Sequence, residues 1–392
     1  MTELQLAIRP WHRSIIAMFA LLGPAGMSVL VRLPEIKDLL GVSTSQLGLL
    51  LFSGAVGSIC ALTITGRIVA RFGTKPPMMI GFYIVALGLI GQTLGALNQS
   101  WITFGLMIFI TGFGYGIADV PINVDGSTIE TKLGRSVLPR MHAAYSVGAL
   151  AGSGLGTVCI ALNISLLTQI LVLCTLMMTM PIIVFKFVPA HTAQDLHHRD
   201  QAAAKPEKVN LFKDPRIVLL GIGILCITLA EGAANDWLAL SVVEGYNESP
   251  ANAGIAFAVF NLSMTITRFF GGSISDRFGR RHTVQAMALT GAIGLLFVIF
   301  GPSVIFAWIG AALWGIGAAL GFPLFISEAG EGENAARKVT LVTTFGYFAF
   351  LVGPPSLGFI AQAIGLLPML FIVAALLLVA VGVARVMSNR KL

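Results

Sequence analysis

Two carboxylates in long apolar stretches are the residues with the clearest chemical potential. Asp119 is followed four residues later by Asn123, and Glu231 is followed four residues later by Asn235. Residues spaced by four share one face of a helix, so each pair presents an acid beside an amide. A carboxylate among apolar side chains takes up a proton more readily than one in water, and at such a depth it is a candidate for function. Each pair could exchange protons or hydrogen-bond a polar ligand.

Two alternatives concern the acids of this stretch. Asp119 could instead pair permanently with a helix end or an arginine. Asp125, just past the stretch, is expected to be solvated or paired with an arginine.

If the apolar stretches cross a membrane, charged residues near their ends could form ion pairs that close a passage on either side. Such residues are candidates for gates. Asp236 lies five residues after Glu231, about 140° further round an ideal helix, so the two cannot point the same way. Asp236 fits an external gate or a partner for Arg32, which could also pair with Glu244 or attract an anionic solute. Arg268 is expected to snorkel towards the inner surface or to pair at a gate, with binding of the solute as the alternative.

Aromatic and amide side chains provide candidate contacts for a polar solute. Sugars and polyols are bound by mixtures of hydrogen-bonding and flat apolar groups, and each such residue could equally serve packing. The candidates are Asn123, Tyr145, Asn235, Phe260, Asn261 and Tyr347. We find no nucleophile with a neighbouring base and no cysteine spacing typical of zinc. The sequence therefore predicts no catalytic centre, no metal and no cofactor.

The composition identifies the elements that must position these residues. Of 392 residues, 56 % are apolar and 11 % are charged, whereas about 25 % are charged in an average soluble domain. Stretches of about 20 apolar residues cross a membrane as helices, and twelve can be traced. They cover 14–33, 44–65, 77–97, 101–121, 141–161, 165–188, 216–241, 251–272, 284–301, 304–326, 339–361 and 366–386. The chain is therefore predicted to be an all-α membrane protein, which excludes soluble enzymes, fibres, disordered regulators and secreted disulfide scaffolds.

One long polar connection divides the chain. Residues 189–215 are predicted to be a cytoplasmic linker between two six-helix bundles, at 1–188 and 216–392. Lys and Arg favour the cytoplasmic side. With the N-terminus inside, 23 of the 25 lie in inside segments or helix ends, and only Arg32 and Lys37 lie outside. Both termini are therefore expected in the cytoplasm, and the net charge of +7 indicates topology rather than nucleic-acid binding.

The two halves repeat a loop motif at an offset of 206 residues. The first copy, G-R-I-V-A-R-F-G-T-K, covers 66–75, and the second, G-S-I-S-D-R-F-G-R-R, covers 272–281. Both resemble the major facilitator motif G-x-x-x-D-R-x-G-R-R, and six-helix parallel repeats are the architecture of that superfamily. The resemblance implies that Arg71, Asp276 and Arg277 belong to a latch at the inner side. Ala70 replaces the acid in the first copy, which implies a weaker latch there and a larger role for Asp276.

Further segments are similar to the MosC-like, or rhizopine-type, branch of the superfamily. They are Arg32-Leu-Pro34, Asp119-Val-Pro-Ile-Asn123, His142-Ala-Ala-Tyr-Ser146-Val-Gly148, Glu231-Gly-Ala-Ala-Asn-Asp236-Trp237, Gly321-Phe-Pro323, and Gly346-Tyr347 with Gly353-Pro354-Pro355. The branch also resembles, more distantly, the fucose-permease group, in which an acid four residues before an Asn takes part in proton coupling. Asp119 and Asn123 match that spacing.

These expectations describe a secondary transporter that moves a small polar organic solute, a sugar, polyol or related compound, by alternating access. Proton symport is expected, with Asp119 as the main carboxylate and Glu231 assisting. The alternative is a proton-driven exporter of drugs or metabolites. The expected partners are the solute, protons and the lipid bilayer, with no nucleic acid. A monomer in the plasma membrane is expected, which is the inner membrane of a Gram-negative bacterium.

Overall fold

The computed structural model describes residues 3–133, 137–189, 214–331 and 334–388. Within these ranges every regular element is helical. The helices are α1 Glu3–Leu30, α2 Leu33–Leu40, α3 Thr44–Phe72, α4 Lys75–Leu97, α5 Trp101–Leu133, α6 Leu138–Ala161, α7 Leu166–Val184, α8 Pro215–Tyr246, α9 Pro250–Phe278, α10 Arg280–Phe300, α11 Val304–Ala318, α12 Gly321–Ala329, α13 Ala335–Ile364 and α14 Leu366–Val383. Short 3₁₀ turns at Phe185–Phe187 and Ala384–Val386 follow α7 and α14.

Twelve segments of the described chain are long and apolar enough to cross a membrane, as the sequence predicts. The tenth contains both α11 and α12, which a turn at residues 319–320 separates. Helix α5 continues to Leu133, well past the predicted end at 121. Pro121 therefore lies inside the helix and does not end it. The polar residues that follow stay helical, and the Thr128 hydroxyl donates to the Val124 carbonyl at 2.8 Å. Helix α2 lies in what the sequence indicated was a loop.

The chain forms two compact units. The described residues of the first unit lie within Met1–Val29, Asp38–Val42 and Leu50–Pro206, and those of the second lie within Leu30–Lys37, Ser43–Leu49 and Glu207–Leu392. The predicted bundle boundaries stay a prediction. Residues 190–213, most of the predicted linker, lie outside the described residues.

Glycines let the helices of the first unit pack backbone against backbone. A side chain at Gly112 of α5 would overlap the Gly54 carbonyl of α3, and one at Gly148 of α6 would overlap the Ala20 carbonyl of α1. Small residues give such close approach between membrane helices. Gly112 and Gly148 therefore serve helix packing, which sets α5 against α3 and α6 against α1.

The second unit contains α8 to α14 and two short segments from the N-terminal half of the sequence. Trp237, Trp314 and Phe325 are fully buried in its core. The Thr44 amide, at the start of α3, donates to the Gln362 side-chain oxygen of α13 at 3.0 Å. The beginning of α3 is therefore tied to the helices of this unit by a specific contact.

Candidate functional site

The Asp119 carboxylate and the Asn123 amide form the predicted pair on one face of α5. Asn123 Nδ2 donates to Asp119 Oδ1 at 3.1 Å and to the Asp119 carbonyl oxygen at 2.9 Å. The Asp119 side chain is exposed and Asn123 is half-buried. Among the residues that the structure describes, none forms an ion pair with Asp119. This carboxylate therefore has an amide partner and an accessible oxygen.

Tyr115 extends the same face by one turn and was missed in the sequence. Its hydroxyl donates to the Leu22 carbonyl of α1 at 3.0 Å. Tyr145, a predicted solute contact, lies on α6 in the same unit. The spacing of Tyr115, Asp119 and Asn123 by four residues would have identified it. Phenol, carboxylate and amide groups are therefore presented by neighbouring helices of the first unit.

Glu231 and Arg268 form an ion pair inside the second unit. Arg268 Nη2 donates to Glu231 Oε1 at 2.9 Å, and Arg268 Nε donates to the Ala319 carbonyl oxygen at 3.1 Å. The Glu231 side chain is 15 % exposed and that of Arg268 is 30 % exposed. The sequence indicated no partner for Glu231 and predicted that Arg268 snorkels or pairs at a gate; in the structure Arg268 reaches Glu231 from α9. The two residues therefore act as one unit.

Arg32 and Glu244, predicted as possible partners of each other, pair with different residues. Arg32 pairs with Glu35 at 2.8 Å, three residues along the chain, and Glu244 pairs with Lys37. Asp236 is half-buried and forms no ion pair within the described part of the chain. The ion pair between α2 and α8 is thus formed by Lys37, one of the two cations that the sequence places outside.

The remaining predicted solute contacts divide by exposure. Phe260 is fully buried and packs edge-on against Trp314, with ring centroids 5.8 Å apart; its contact with the solute stays a prediction. Asn261 is 1 % exposed and donates to the Phe257 carbonyl at 2.9 Å. Tyr347 is half exposed on α13.

Asn235 of α8 is half-buried. Its Oδ1 is buried and has no hydrogen-bond partner among the described residues. A buried oxygen without a donor costs free energy, and among the described residues the buried Oδ1 of Asn261 is in the same state.

The predicted latch residues at the loop motif are exposed. The guanidinium groups of Arg71 and Arg277 lie over the rings of their neighbours Phe72 and Phe278, at 5.3 and 5.4 Å from the centroids. Asp276 forms no ion pair within the described ranges. The latch role of Asp276 stays a prediction.

A charged cluster around Glu328 joins helices of the second unit instead. The buried Glu328 carboxylate accepts hydrogen bonds from Arg216 and from the Ser388 amide, the latter at 2.7 Å, and Arg280 Nη1 lies 3.4 Å from its second oxygen. Arg280 also pairs with Glu331. Removing one member of a buried ionic network is strongly destabilising, so this cluster fixes the ends of α8, α10 and α12.

Asp125 occupies the corresponding place in the first unit. It is fully buried, and the Trp11 indole nitrogen donates to its Oδ2 at 3.0 Å. The expectation that Asp125 is solvated or paired with an arginine was wrong. The 206-residue repeat offset aligns Asp125 with Glu331, so the acid that pairs with Arg280 in the second unit is matched by an acid that accepts from an indole in the first.

The described residues contain no group of three or more His, Cys, Asp or Glu side chains that could hold a metal. The described residues include an exposed carboxylate beside an amide in the first unit, and a partly exposed ion pair and further amide and phenol groups in the second. Such groups can take up a proton and hydrogen-bond a polar molecule.

Comparisons with known proteins agree with this arrangement. The family model described as Major Facilitator Superfamily matches residues 13–331 and also residues 220–391. An uncharacterized MFS-type transporter of Yersinia pestis is 31 % identical over 372 residues, which are 94 % of this chain and 93 % of the relative. The membrane protein MosC of Rhizobium meliloti is 26 % identical over 356 residues, which are 89 % of this chain and 83 % of MosC. The predicted resemblance to MosC is confirmed.

Solved transporter structures share the fold. A point mutant of the nucleoside transporter NupG matches with a TM-score of 0.76 at 13 % identity, over 98 % of this chain and 100 % of NupG. FucP, the fucose:proton symporter of E. coli, matches in its outward conformation with a TM-score of 0.65 at 18 % identity, over 97 % of this chain and 99 % of FucP. At these identities the likeness shows the fold alone. The family match and the 31 % identical relative show that the chain belongs to the Major Facilitator Superfamily, as a multi-pass inner-membrane transporter of small solutes and not an enzyme.

Proposed function

We propose that this protein moves a small polar organic solute by alternating access, in symport with protons, and that Asp119 carries the proton. The observation that carries the proposal is the Asp119 carboxylate itself. It is exposed, lies within an apolar span, accepts a hydrogen bond from Asn123 and has no ion-pair partner among the described residues. An ionised carboxylate against lipid costs several kcal/mol, so an exposed one in a span fits a water-filled pathway.

Glu231 has a different part in the proposal. Its charge is balanced by Arg268 at 2.9 Å, so it has less reason to bind and release a proton than Asp119. We assign the pair to solute recognition, because a polar ligand can compete for a partly exposed guanidinium or carboxylate. In this assignment Glu231 assists the coupling by changing partner when solute enters.

Polar groups in the same two units as these acids support a hydroxyl-rich solute. Asn123, Tyr145, Asn235 and Tyr347 can donate or accept hydrogen bonds, and the buried Oδ1 of Asn235 has no donor in the described part of its unit. A site built to hydrogen-bond hydroxyl groups discriminates strongly against analogues that lack them. The printed name of FucP, a fucose:proton symporter, is consistent with this class of solute.

Gating is proposed at both ends of the spans. Outside, the Lys37–Glu244 pair holds the α2 region against α8, and its rupture would accompany opening. Arg32, Asp236 and Arg268 remain candidate gate residues.

At the inner side, the loop-motif residues Arg71, Asp276 and Arg277 stay proposed members of a latch. Whether Ala70 weakens that latch is part of the same proposal.

The test is to reconstitute the protein in liposomes and follow external pH while solutes are added one at a time. Sugars, inositols, amino sugars, organic acids and lipophilic cations form the panel. External alkalinisation with one polar solute is expected, together with its loss in Asp119→Asn. Asp38→Asn is the matched control, because Asp38 is exposed on α2 and outside the spans. Silence with polar solutes, combined with dissipation of an imposed pH gradient by lipophilic compounds, would establish the exporter instead.

A further inference from the structure

A groove between the beginning of α1 and the end of α7 carries two arginines and no acid. Its volume is about 440 Å³, and Arg9 and Arg13 line it together with residues of both helices. Both arginine side chains are exposed, and neither forms an ion pair with any residue that the structure describes. Two unneutralised guanidinium groups one helical turn apart attract an anion.

Apart from Ser14, the other residues that line the groove are apolar, and the groove continues in the direction of the span. Arg9, Arg13 and Ala17 follow one another at intervals of four, so they lie on one face of α1. Along this face the side chains change from two charged arginines to an apolar alanine. The facing wall holds Ile183 and Phe187, which are 57 % and 55 % exposed. A ligand that fits this order has an anionic head and an apolar tail.

The groove is a fixed feature of the first unit. The Ser14 hydroxyl, which lines it, donates to the Val184 carbonyl at 3.2 Å and to the Pro10 carbonyl at 2.9 Å. This contact joins α1 to α7 at the point where the groove forms. The ligand would therefore meet two helices held together and not the side of a single helix.

We propose that this groove, defined by Arg9, Arg13, Ala17, Ile183 and Phe187, binds an anionic phospholipid. The two arginines would hold the phosphate of the headgroup, because guanidinium groups bind phosphate oxygens through paired hydrogen bonds. An acyl chain would lie along the apolar wall. The expected inside location of this end of α1 agrees with the proposal, since basic pockets between spans on the cytoplasmic side bind anionic headgroups.

The test is lipid binding to the purified protein in detergent, measured by native mass spectrometry. Phosphatidylglycerol and phosphatidylcholine with the same acyl chains are added in equal amounts. Wild-type protein should retain phosphatidylglycerol preferentially, and Arg9→Gln/Arg13→Gln should lose the preference. Each basic residue near an anionic surface is worth about fivefold in binding, so the expected loss is about thirtyfold.

Two further variants keep the result interpretable. Arg140→Gln/Arg385→Gln removes the same charge from exposed arginines outside the groove and should bind as wild type does. Arg9→Lys/Arg13→Lys keeps the charge and should retain most of the preference.

Three results would overturn the proposal. They are an unchanged preference in the Gln pair, an equal loss in the Arg140 and Arg385 control, and displacement of the lipid by millimolar inorganic phosphate. The second would indicate general surface attraction, and the third would indicate a site for a free anion.

Discussion

Replacing Arg268 with Gln should destabilise the second unit more than replacing Glu231 with Gln. In Arg268→Gln the Glu231 carboxylate, 15 % exposed, keeps its charge and loses its cation. Breaking a buried pair from one side costs about 3–5 kcal/mol, and because both groups are partly exposed we expect about 3 kcal/mol, the lower end of that range. In Glu231→Gln the guanidinium keeps its bond to the Ala319 carbonyl at 3.1 Å and gains a neutral acceptor, so the loss should be about 1 kcal/mol.

Replacing both residues distinguishes the destabilisation caused by an unbalanced charge from the destabilisation caused by lost packing. Glu231→Gln/Arg268→Gln leaves two neutral side chains able to hydrogen-bond, so it should be more stable than Arg268→Gln alone. Thermal unfolding of the purified proteins, with Arg277→Gln as an exposed control, provides the measurement. Equal destabilisation by the two single changes, or a double variant no more stable than Arg268→Gln, would refute the account of a charge-balanced pair.

Three shorter predictions concern packing and the buried charges, all measured by yield and thermal unfolding. Trp11→Phe removes the indole donor to the fully buried Asp125 and should cost about 1–3 kcal/mol; a loss below about 0.5 kcal/mol would contradict the hydrogen bond. Glu328→Ala leaves buried arginine charge unbalanced and should cost about 3–5 kcal/mol. Glu331→Ala, at a side chain 41 % exposed, should cost less than about 1 kcal/mol, and equal effects would contradict the assignment of Glu328 as the centre of the cluster. Gly148→Leu should prevent folding, because its side chain would overlap the α1 backbone, and a normal yield of monodisperse protein would be inconsistent with that contact.

The sequence predicted the spans and the local acid–amide pair because both depend on short-range pattern. Apolar runs of this length have few alternatives to a membrane-crossing helix, and residues four apart must meet on one helical face. Asp119 and Asn123 accordingly form the predicted pair. The end of the fifth helix was less predictable, because Pro121 usually marks a boundary but here lies inside α5.

Contacts between distant residues could not be predicted in the same way. Arg268 meets Glu231 across 37 residues, and Lys37 meets Glu244 across 207. Hydropathy does not reveal which helices are neighbours or how each is rotated, so the partners of Glu231 and Glu244 stayed undetermined. The internal repeat relates Asp125 to Glu331, but it does not indicate the partner of either acid.

Proton-driven accumulation by Asp119→Asn tests the central claim most directly. The measurement compares, in the same proteoliposomes, uptake of the identified solute under an inward proton gradient with solute exchange in the absence of a gradient. The account predicts that Asp119→Asn retains exchange but no longer concentrates the solute, while Asp38→Asn does both. Concentrative uptake by Asp119→Asn at the wild-type level would contradict the assignment of Asp119 as the proton-carrying residue.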